Sequence, residues 1–475
     1  MAHLRLADNS AQVRCWVARQ RRIAIAGAVI GAAVFALDSV GHADTQLPTP
    51  APTQQAPLAV PLPVPSVGGA SVWQQLGWPV TTKSAALDRA AHVYDGATTP
   101  AGPKIIGKLA AGTRVAVTAI VDTPAVLPNK KTCPRWAEIA PRGVICATSL
   151  QPSDAPPIAL HLPVVAPGDV VPGEYFVVDD AGVDLYKTRA DAQAGQPTGE
   201  LAGRVMIRNL ETVWLDSLAY YRVDKGYVPM SGVRALHPSD FAGVAITGAV
   251  RLPITWVVAS AERNRHVLDA PKKRGAQKRS ERAKARSGVL IRSVERYQQV
   301  VVRASQQDFV DIGDDRHGSE WLPRNAIATA AISTRPQGVT DAALWIDIDL
   351  SQQTLVLYRG DTPLFATLVS TGKKNHATPT GEFTIYAKAA VTAMTSEAGE
   401  RAQYDVSAVP WAMRFTKGIY LHAAYWHDGF GTKRSHGCVN LSPRDAHWLY
   451  DRLPPAVPDG WSELEISDGP VVRIR

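Results

Sequence analysis

The chain has 475 residues, of which 45% are hydrophobic and 20% charged, and it carries a formal net charge of +8. That composition can bury a sizeable core and excludes a wholly disordered chain, while the length leaves room for about three or four domains.

Arg14, Arg19, Arg21 and Arg22 precede the uncharged run Ile23 to Leu37, and Gly41-His42-Ala43 follows with the small residues a signal peptidase reads. Residues 1–43 are therefore expected to direct export. The apolar run, about 15 residues, is short for a membrane span, although an uncleaved anchor would show the same charge pattern. Arg21-Arg22 hints at the twin-arginine route, but the residues after the pair fit general secretion better. Residues 44–83 read as a linker, because prolines crowd Leu47 to Ser66 and such a stretch extends without building a core.

Between about Ser84 and Ala331 one weak pattern passes three times, at a spacing of roughly 80 to 90 residues. The first pass holds the expected strands His92 to Asp95, Gly107 to Leu109, Gly112 to Val117, Trp136 to Ile139 and Gly143 to Cys146. In the second the order is Val183 to Tyr186, Gly203 to Ile207, Tyr220 to Val223 and Gly226 to Pro229. The third runs His266 to Asp269, Val300 to Val302, Phe309 to Ile312 and Trp321 to Pro323. Short alternating strands punctuated by turn residues predict small β-barrels. The strand order and the closing Gly-aromatic-Val step resemble bacterial SH3-like domains. That resemblance implies modules that either bind peptidoglycan or hold the next domain at a distance.

Two features refine these units. Cys133 and Cys146 flank Trp136, and in an oxidising compartment two thiols within reach are joined, so a disulfide is expected. Cys15 lies upstream of the export signal's apolar run and would leave with it, so Cys438 has no partner. Lys272-Lys273-Arg274, Lys278-Arg279, Arg282, Lys284 and Arg286 crowd an insertion in the third pass against the single acid Glu281. For an exported protein, an anionic envelope polymer or membrane headgroup is a better partner for residues Lys272 to Arg286 than nucleic acid, and a solvated loop is the plain alternative.

From about Ala342 the pattern changes. Leu344 to Leu350 alternates apolar and acidic residues and turns through Ser351-Gln352-Gln353 into Thr354 to Tyr358, a hairpin whose apolar faces want a partner sheet. Phe365 to Val369 supplies a third strand, ended by Ser370-Thr371-Gly372, and Thr378 to Tyr386 turns into a fourth. Ser442-Pro443 followed by apolar spacing to Tyr450 predicts one capped helix.

Chemistry concentrates in Gly418-Ile419-Tyr420-Leu421-His422 and Arg434-Ser435-His436-Gly437-Cys438-Val439-Asn440, with Cys438 16 positions after His422. A thiol attacks a carbonyl as thiolate, so an imidazole, His422 or His436, or aimed backbone N–H groups must promote its ionisation. Gly437 lets the chain turn tightly, so consecutive amides can face a developing oxyanion. Zinc ligation by His422, His427, His436 and Cys438 lacks a usual ligand spacing, and no metal is expected. A papain-type protease is equally poorly matched.

The cysteine segment, with Ser351-Gln352-Gln353, Ser370-Thr371-Gly372, Thr378-Pro379-Thr380-Gly381-Glu382-Phe383 and Pro410-Trp411 in order before it, resembles the L,D-transpeptidase catalytic domain, the YkuD family. The resemblance implies a β-sandwich whose cysteine takes an acyl group from a peptidoglycan stem peptide and passes it to an amine, without a cofactor. It makes Cys438 the nucleophile and His422 the proton donor and acceptor. Ser435, His436 and Gly437 would shape the site and supply backbone N–H groups, while Lys417, Gly418 and Asn440 would line the substrate site. Lys417 stands where the family often has serine.

The expected fold is mainly β, a C-terminal L,D-transpeptidase-type β-sandwich preceded by about three small SH3-like β-barrels. The expected units are residues 84–165, 166–245, 246–333 with the basic insertion, and 342–475 as catalytic domain. The expected activity is 3-3 crosslinking in the periplasm or cell wall, with membrane contact only through an uncleaved N-terminus. Hydrolysis of the same acyl-enzyme, attachment of a protein to peptidoglycan, and wall binding without catalysis are the alternatives.

Overall fold

Alternating apolar residues from Leu344 onward build the strands on which the C-terminal domain rests. The computed structural model describes residues 71–97, 102–158, 161–258, 266–268, 290–396 and 404–475. The export signal, most of the proline-rich linker and the basic insertion lie outside the described residues.

In the C-terminal domain the elements are β1 (Leu344–Asp349), β2 (Thr354–Arg359), β3 (Thr362–Leu368), β4 (Gly381–Thr384), β5 (Ala387–Thr395), β6 (Tyr404–Thr416), β7 (Ile419–Ala423) and β8 (Val439–Leu441). Helix α1 (Pro443–Arg452), β9 (Trp461–Glu465) and β10 (Val471–Ile474) complete it. One sheet runs β3-β2-β1-β10-β4, with the strand Val244–Ala245 added at its β3 edge. In the other, β9 pairs with β5, β5 with β6, β6 with β7 and β7 with β8. Ile346, Ile348, Leu355 and Phe365 from the first sheet share one buried cluster with Trp411, Met413, Leu421 and Val439 from the second. These strands alternate because each lays one face on that core.

Helix α1 begins where Ser442 accepts a hydrogen bond from the Asp445 amide, with proline in its first turn. Its far end is closed from β5: the buried Lys388 ammonium donates to the carbonyls of Tyr450, Leu453 and Pro455. Burial pulls this lysine down to about 8, while a cation beside a helix C-terminus complements the helix dipole.

In the upstream region a strand, 3-10 turn, strand succession occurs three times among the described residues. Strand Val144–Cys146 passes through a 3-10 turn, Ala147–Ser149, into Gln151–Ser153. Gly226–Pro229 passes likewise through Met230–Gly232 into Val233–Ala235, and Trp321–Pro323 through Arg324–Ala326 into Ile327–Ala330. The strands do not close into barrels; among the described residues they form open sheets, and several edges pair with the C-terminal domain. Ile105–Leu109 of the first unit pairs with β9, and Arg204–Arg208 of the second pairs with β6. Trp256 and Ala328 of the third unit pack with Trp345 and Tyr358 on the outer face of the first sheet. The folded part also starts earlier than the expected linker boundary. Val72–Gln75 is a short helix capped by Ser71, and Trp73 is buried in the first unit's core. Cys133 and Cys146 are joined by a disulfide.

Asp445 connects these parts. Its buried carboxylate accepts hydrogen bonds from the Gly243 amide (2.8 Å) and the Thr367 hydroxyl, tying α1 to β3 and to the chain that enters the sheet at Val244. Burial raises its pKa to about 6, against the pull of those donors. Asp445→Ala should lower stability by about 2–3 kcal/mol, the usual cost of stranding partners of a buried charged group, and Asp445→Asn by less. An unfolded aspartate titrates near 3.9, so the native state holds this proton more tightly. The stability of the wild-type chain relative to the Asn variant should therefore rise as pH falls from 7 to 4, measured by urea unfolding at both pH values.

Candidate active site

Gly418, at φ +72°, makes the turn between β6 and β7 that a side-chain-bearing residue would strain. Strands β7 and β8 then run parallel, with Leu421 opposite Val439, His422 opposite Asn440 and Ala423 opposite Leu441. Leu421, Ala423, Val439 and Leu441 are buried in the core. Side chains alternate along a strand, so His422, Asn440 and, one step before β8, Cys438 face the other way. All three line one cleft, open to solvent at its mouth.

Cys438 is half-buried, and its Sγ lies 3.8 Å from the Gly418 carbonyl. Burial pushes the thiol up to about 11, while a backbone hydrogen bond from Tyr420 pulls the other way. His422 is buried, and its Nδ1 lies 2.9 Å from the Ala423 carbonyl. A carbonyl only accepts, so Nδ1 carries the proton and Nε2 presents a basic lone pair. Burial holds the ring down at about 4, so it is neutral at pH 7. The resting pair is thus a neutral thiol and a neutral imidazole.

The loop that joins β7 to β8 is held from the end of β3. Ser370 and Asn440 exchange both backbone hydrogen bonds at 2.9 Å, and the Ser370 hydroxyl sits within hydrogen-bonding distance of the Gly429 and Thr432 carbonyls. The Thr371 carbonyl accepts from the Arg434 and Ser435 amides, and Thr371 is itself clamped by the buried Gln353 side chain. Thr378 accepts from the Gly372 amide and donates to the Gly437 carbonyl at 2.7 Å. A Cβ on Gly372 would lie 1.9 Å from the His376 carbonyl, so only glycine allows this approach.

The expected oxyanion donors need correction. The Ser435 N–H is spent on Thr371, and the Gly437 N–H donates to the Ser435 hydroxyl at 3.1 Å. That hydroxyl in turn donates to the Cys438 carbonyl at 2.6 Å. Ser435 and Gly437 therefore shape the turn, with Gly437 at φ +122°, instead of offering amides to the cleft. His436 packs its ring against His376 (4.5 Å) and Tyr404 (4.9 Å) and walls the cleft. Gly418 contributes its carbonyl to Sγ, whereas the exposed Lys417 is not among the lining residues.

Motif reading passed over Trp426, stacked on His422 at 5.7 Å, and weighed His427 only as a zinc ligand. The Gly429 N–H donates to His427 Nδ1, so this neutral ring carries its proton on Nε2, 2.9 Å from the Asn440 amide. The contact there is made by the Asn440 Nδ2. The sequence signal for the clamps was the Ser-Thr-Gly and Thr-Pro-Thr-Gly steps, whose hydroxyls and glycine suit loop anchoring.

Residues 343–472 match the family model of the L,D-transpeptidase catalytic domain, YkuD. L,D-transpeptidase 1 of Mycobacterium tuberculosis is 29% identical over 142 residues, which cover 28% of this chain and 56% of that relative. The chain thus spans little more than half the length of this relative. Among solved structures, an L,D-transpeptidase from Mycobacterium smegmatis is 22% identical, covering 50% of this chain and 99% of that one at a TM-score of 0.24. LdtMt1 in complex with imipenem is 23% identical, covering 33% of this chain and 73% of that one, also at 0.24.

A thiol held near 11 is mostly protonated at pH 8. Alkylation of Cys438 by iodoacetamide should run roughly tenfold or more slower there than that of a free cysteine, and rise steeply toward pH 11. Peptide mass mapping across that range reads it, and free-cysteine reactivity at pH 7 to 8 would contradict the raised pKa.

Proposed function

We propose, on the premise that residues 343–472 form an L,D-transpeptidase catalytic domain, that Cys438 carries an acyl group from a peptidoglycan stem peptide to an amine. The observation that carries this reading is the common face of β7 and β8, which turns Cys438, His422 and Asn440 into one cleft.

Sγ attacks the carbonyl that joins the third residue of a tetrapeptide stem to its terminal D-residue, as the thiol proton passes to His422 Nε2. The carbon–nitrogen bond breaks, the imidazolium protonates the departing amine, and a thioester remains. An amine from a neighbouring stem then attacks the thioester, gives a proton to His422, and forms a 3-3 crosslink while the proton returns to sulfur. Water in place of the amine yields the shortened stem. The tautomer fixed by Ala423 suits His422 to both proton transfers, since only Nε2 has to exchange. These steps are carried through the chain's own thiol and imidazole.

The upstream units fit SH3-like modules of an exported wall enzyme, a reading supported by their threefold strand, 3-10 turn, strand order and by the Cys133–Cys146 disulfide, a bond typical of oxidising compartments. Residues 1–43 as export signal and Lys272 to Arg286 as a contact for anionic envelope polymer complete the proposal.

Incubation with a carbapenem should add one acyl group to Cys438, seen by intact mass, and none to Cys438→Ala. His422→Ala should slow the acylation roughly a hundredfold or more, the scale of a lost general base. In the wild type the rate should hold level from about pH 5 to 9 and fall toward pH 4 as His422 gains a proton. An acid limb near 6.5 would contradict the buried, neutral base, and absence of any adduct would contradict the function.

A further inference from the structure

The candidate cleft is not built by the C-terminal domain alone. Strand Arg204–Arg208 of the second upstream unit lies parallel to the start of β6, with Arg204 opposite Tyr404 and Met206 opposite Val406. Both Arg204 and Met206 line the cleft together with His422 and Cys438.

This junction is well tied. The Tyr175 hydroxyl donates to the Ala408 carbonyl at 3.1 Å, the Arg208 amide donates to the Ser407 hydroxyl at 3.2 Å, and Lys225 pairs with Asp405. The rings of Tyr175 and Tyr425 lie 3.9 Å apart, and Tyr425 anchors its own hydroxyl on the Ser407 carbonyl. Tyr425 is three residues beyond His422. The upstream strand is therefore held to the wall that carries the catalytic histidine.

Charge gives the junction a purpose. Among the described residues, Arg204 and Arg434 both line the cleft, no aspartate or glutamate does, and neither arginine forms an ion pair. Both arginines are exposed, and the Arg434 Nε donates to the Thr432 hydroxyl at 3.3 Å. Two arginines on a cleft whose described lining carries no counter-charge suit a carboxylate, which a guanidinium holds through paired N–H donors. Tyr404, opposite Arg204 in register, has its ring 4.9 Å from that of His436, two residues from the nucleophile.

We infer that Arg204, delivered by the second upstream unit, and Arg434 bind the terminal carboxylate of the acyl-donor peptide, so that this unit is a specificity-determining part of the enzyme. The inference rests on the acyl-transfer reading above. In that reaction the leaving D-residue ends in a free carboxylate next to the attacked carbonyl, so a cation pair beside the nucleophile selects donors that end at that residue.

The test compares two synthetic donors with the full chain: a tetrapeptide stem with a free terminal carboxylate and the same peptide ending in a carboxamide. Release of the terminal residue is followed for wild type, Arg204→Ala and Arg204→Lys. Wild type should favour the free acid by roughly tenfold or more in kcat/KM, mostly through KM. Arg204→Ala should bring that ratio toward one, and Arg204→Lys should restore part of it. Thermal unfolding of each variant checks that the junction holds, and Arg208→Ala, altered on the same strand but not lining the cleft, should keep the wild-type ratio. If wild type turns over the peptides and Arg204→Ala keeps the full preference, the inference fails while acyl transfer stands. If wild type turns over neither peptide and takes no carbapenem adduct, it is the acyl-transfer reading that fails.

Discussion

The two backbone hydrogen bonds exchanged by Ser370 and Asn440 join the two sheets at the point where the chemistry gathers. Ser370 lies two residues beyond the third strand of one sheet and Asn440 lies in the edge strand of the other, so the pair closes the sandwich at that edge. Both residues are buried, and amides out of reach of water are costly to leave unpaired. Once that pairing is made, the segment between β7 and β8 has nowhere to drift. Its carbonyls fall on the Ser370 hydroxyl, its amides on Thr371, and its glycine turn on Thr378. Cys438 then emerges beside the Gly418 carbonyl as a consequence of backbone pairing, with no long side chain needed to aim it.

Strand β6 extends the same logic outward. Its last residues pair with β7, and its first pair with a strand from the second upstream unit along the same edge. An edge strand exposes unpaired amides and carbonyls, and covering it removes a site for unwanted pairing. Here the covering strand also carries an arginine and a methionine into the cleft. Shared cores with the first and third units add to this, so the upstream region behaves as part of the C-terminal domain's packing and not as beads on a string.

Much of the site was legible in the sequence because its chemistry is local. The alternation in Ile419 to Ala423 and Val439 to Leu441 tells which residues face the core, and His422, Cys438 and Asn440 fall on the opposite parity. The hairpin from Leu344 to Arg359 and the serine-capped helix α1 were readable for the same reason. The assignment of Ser435 and Gly437 as oxyanion donors failed because motif position says nothing of where an amide is already spent. Barrels were expected upstream because short strands and turns fix only local pairing. Which edge stays open depends on partners far along the chain, as with Arg208 and Ser407, 199 residues apart. Arg204 was illegible for that reason: no periodicity marks a residue that acts on another domain's cleft.

The central claim is that a neutral Cys438 thiol, relieved of its proton by His422, becomes acylated by a stem peptide. Mass spectrometry of the full chain quenched in acid during turnover of a tetrapeptide stem tests it most directly. The account predicts a covalent species on Cys438 whose added mass is the stem without its terminal D-residue, with that residue released in step. Release of the terminal residue with no covalent species on Cys438, or with the acyl group on another side chain, would contradict it.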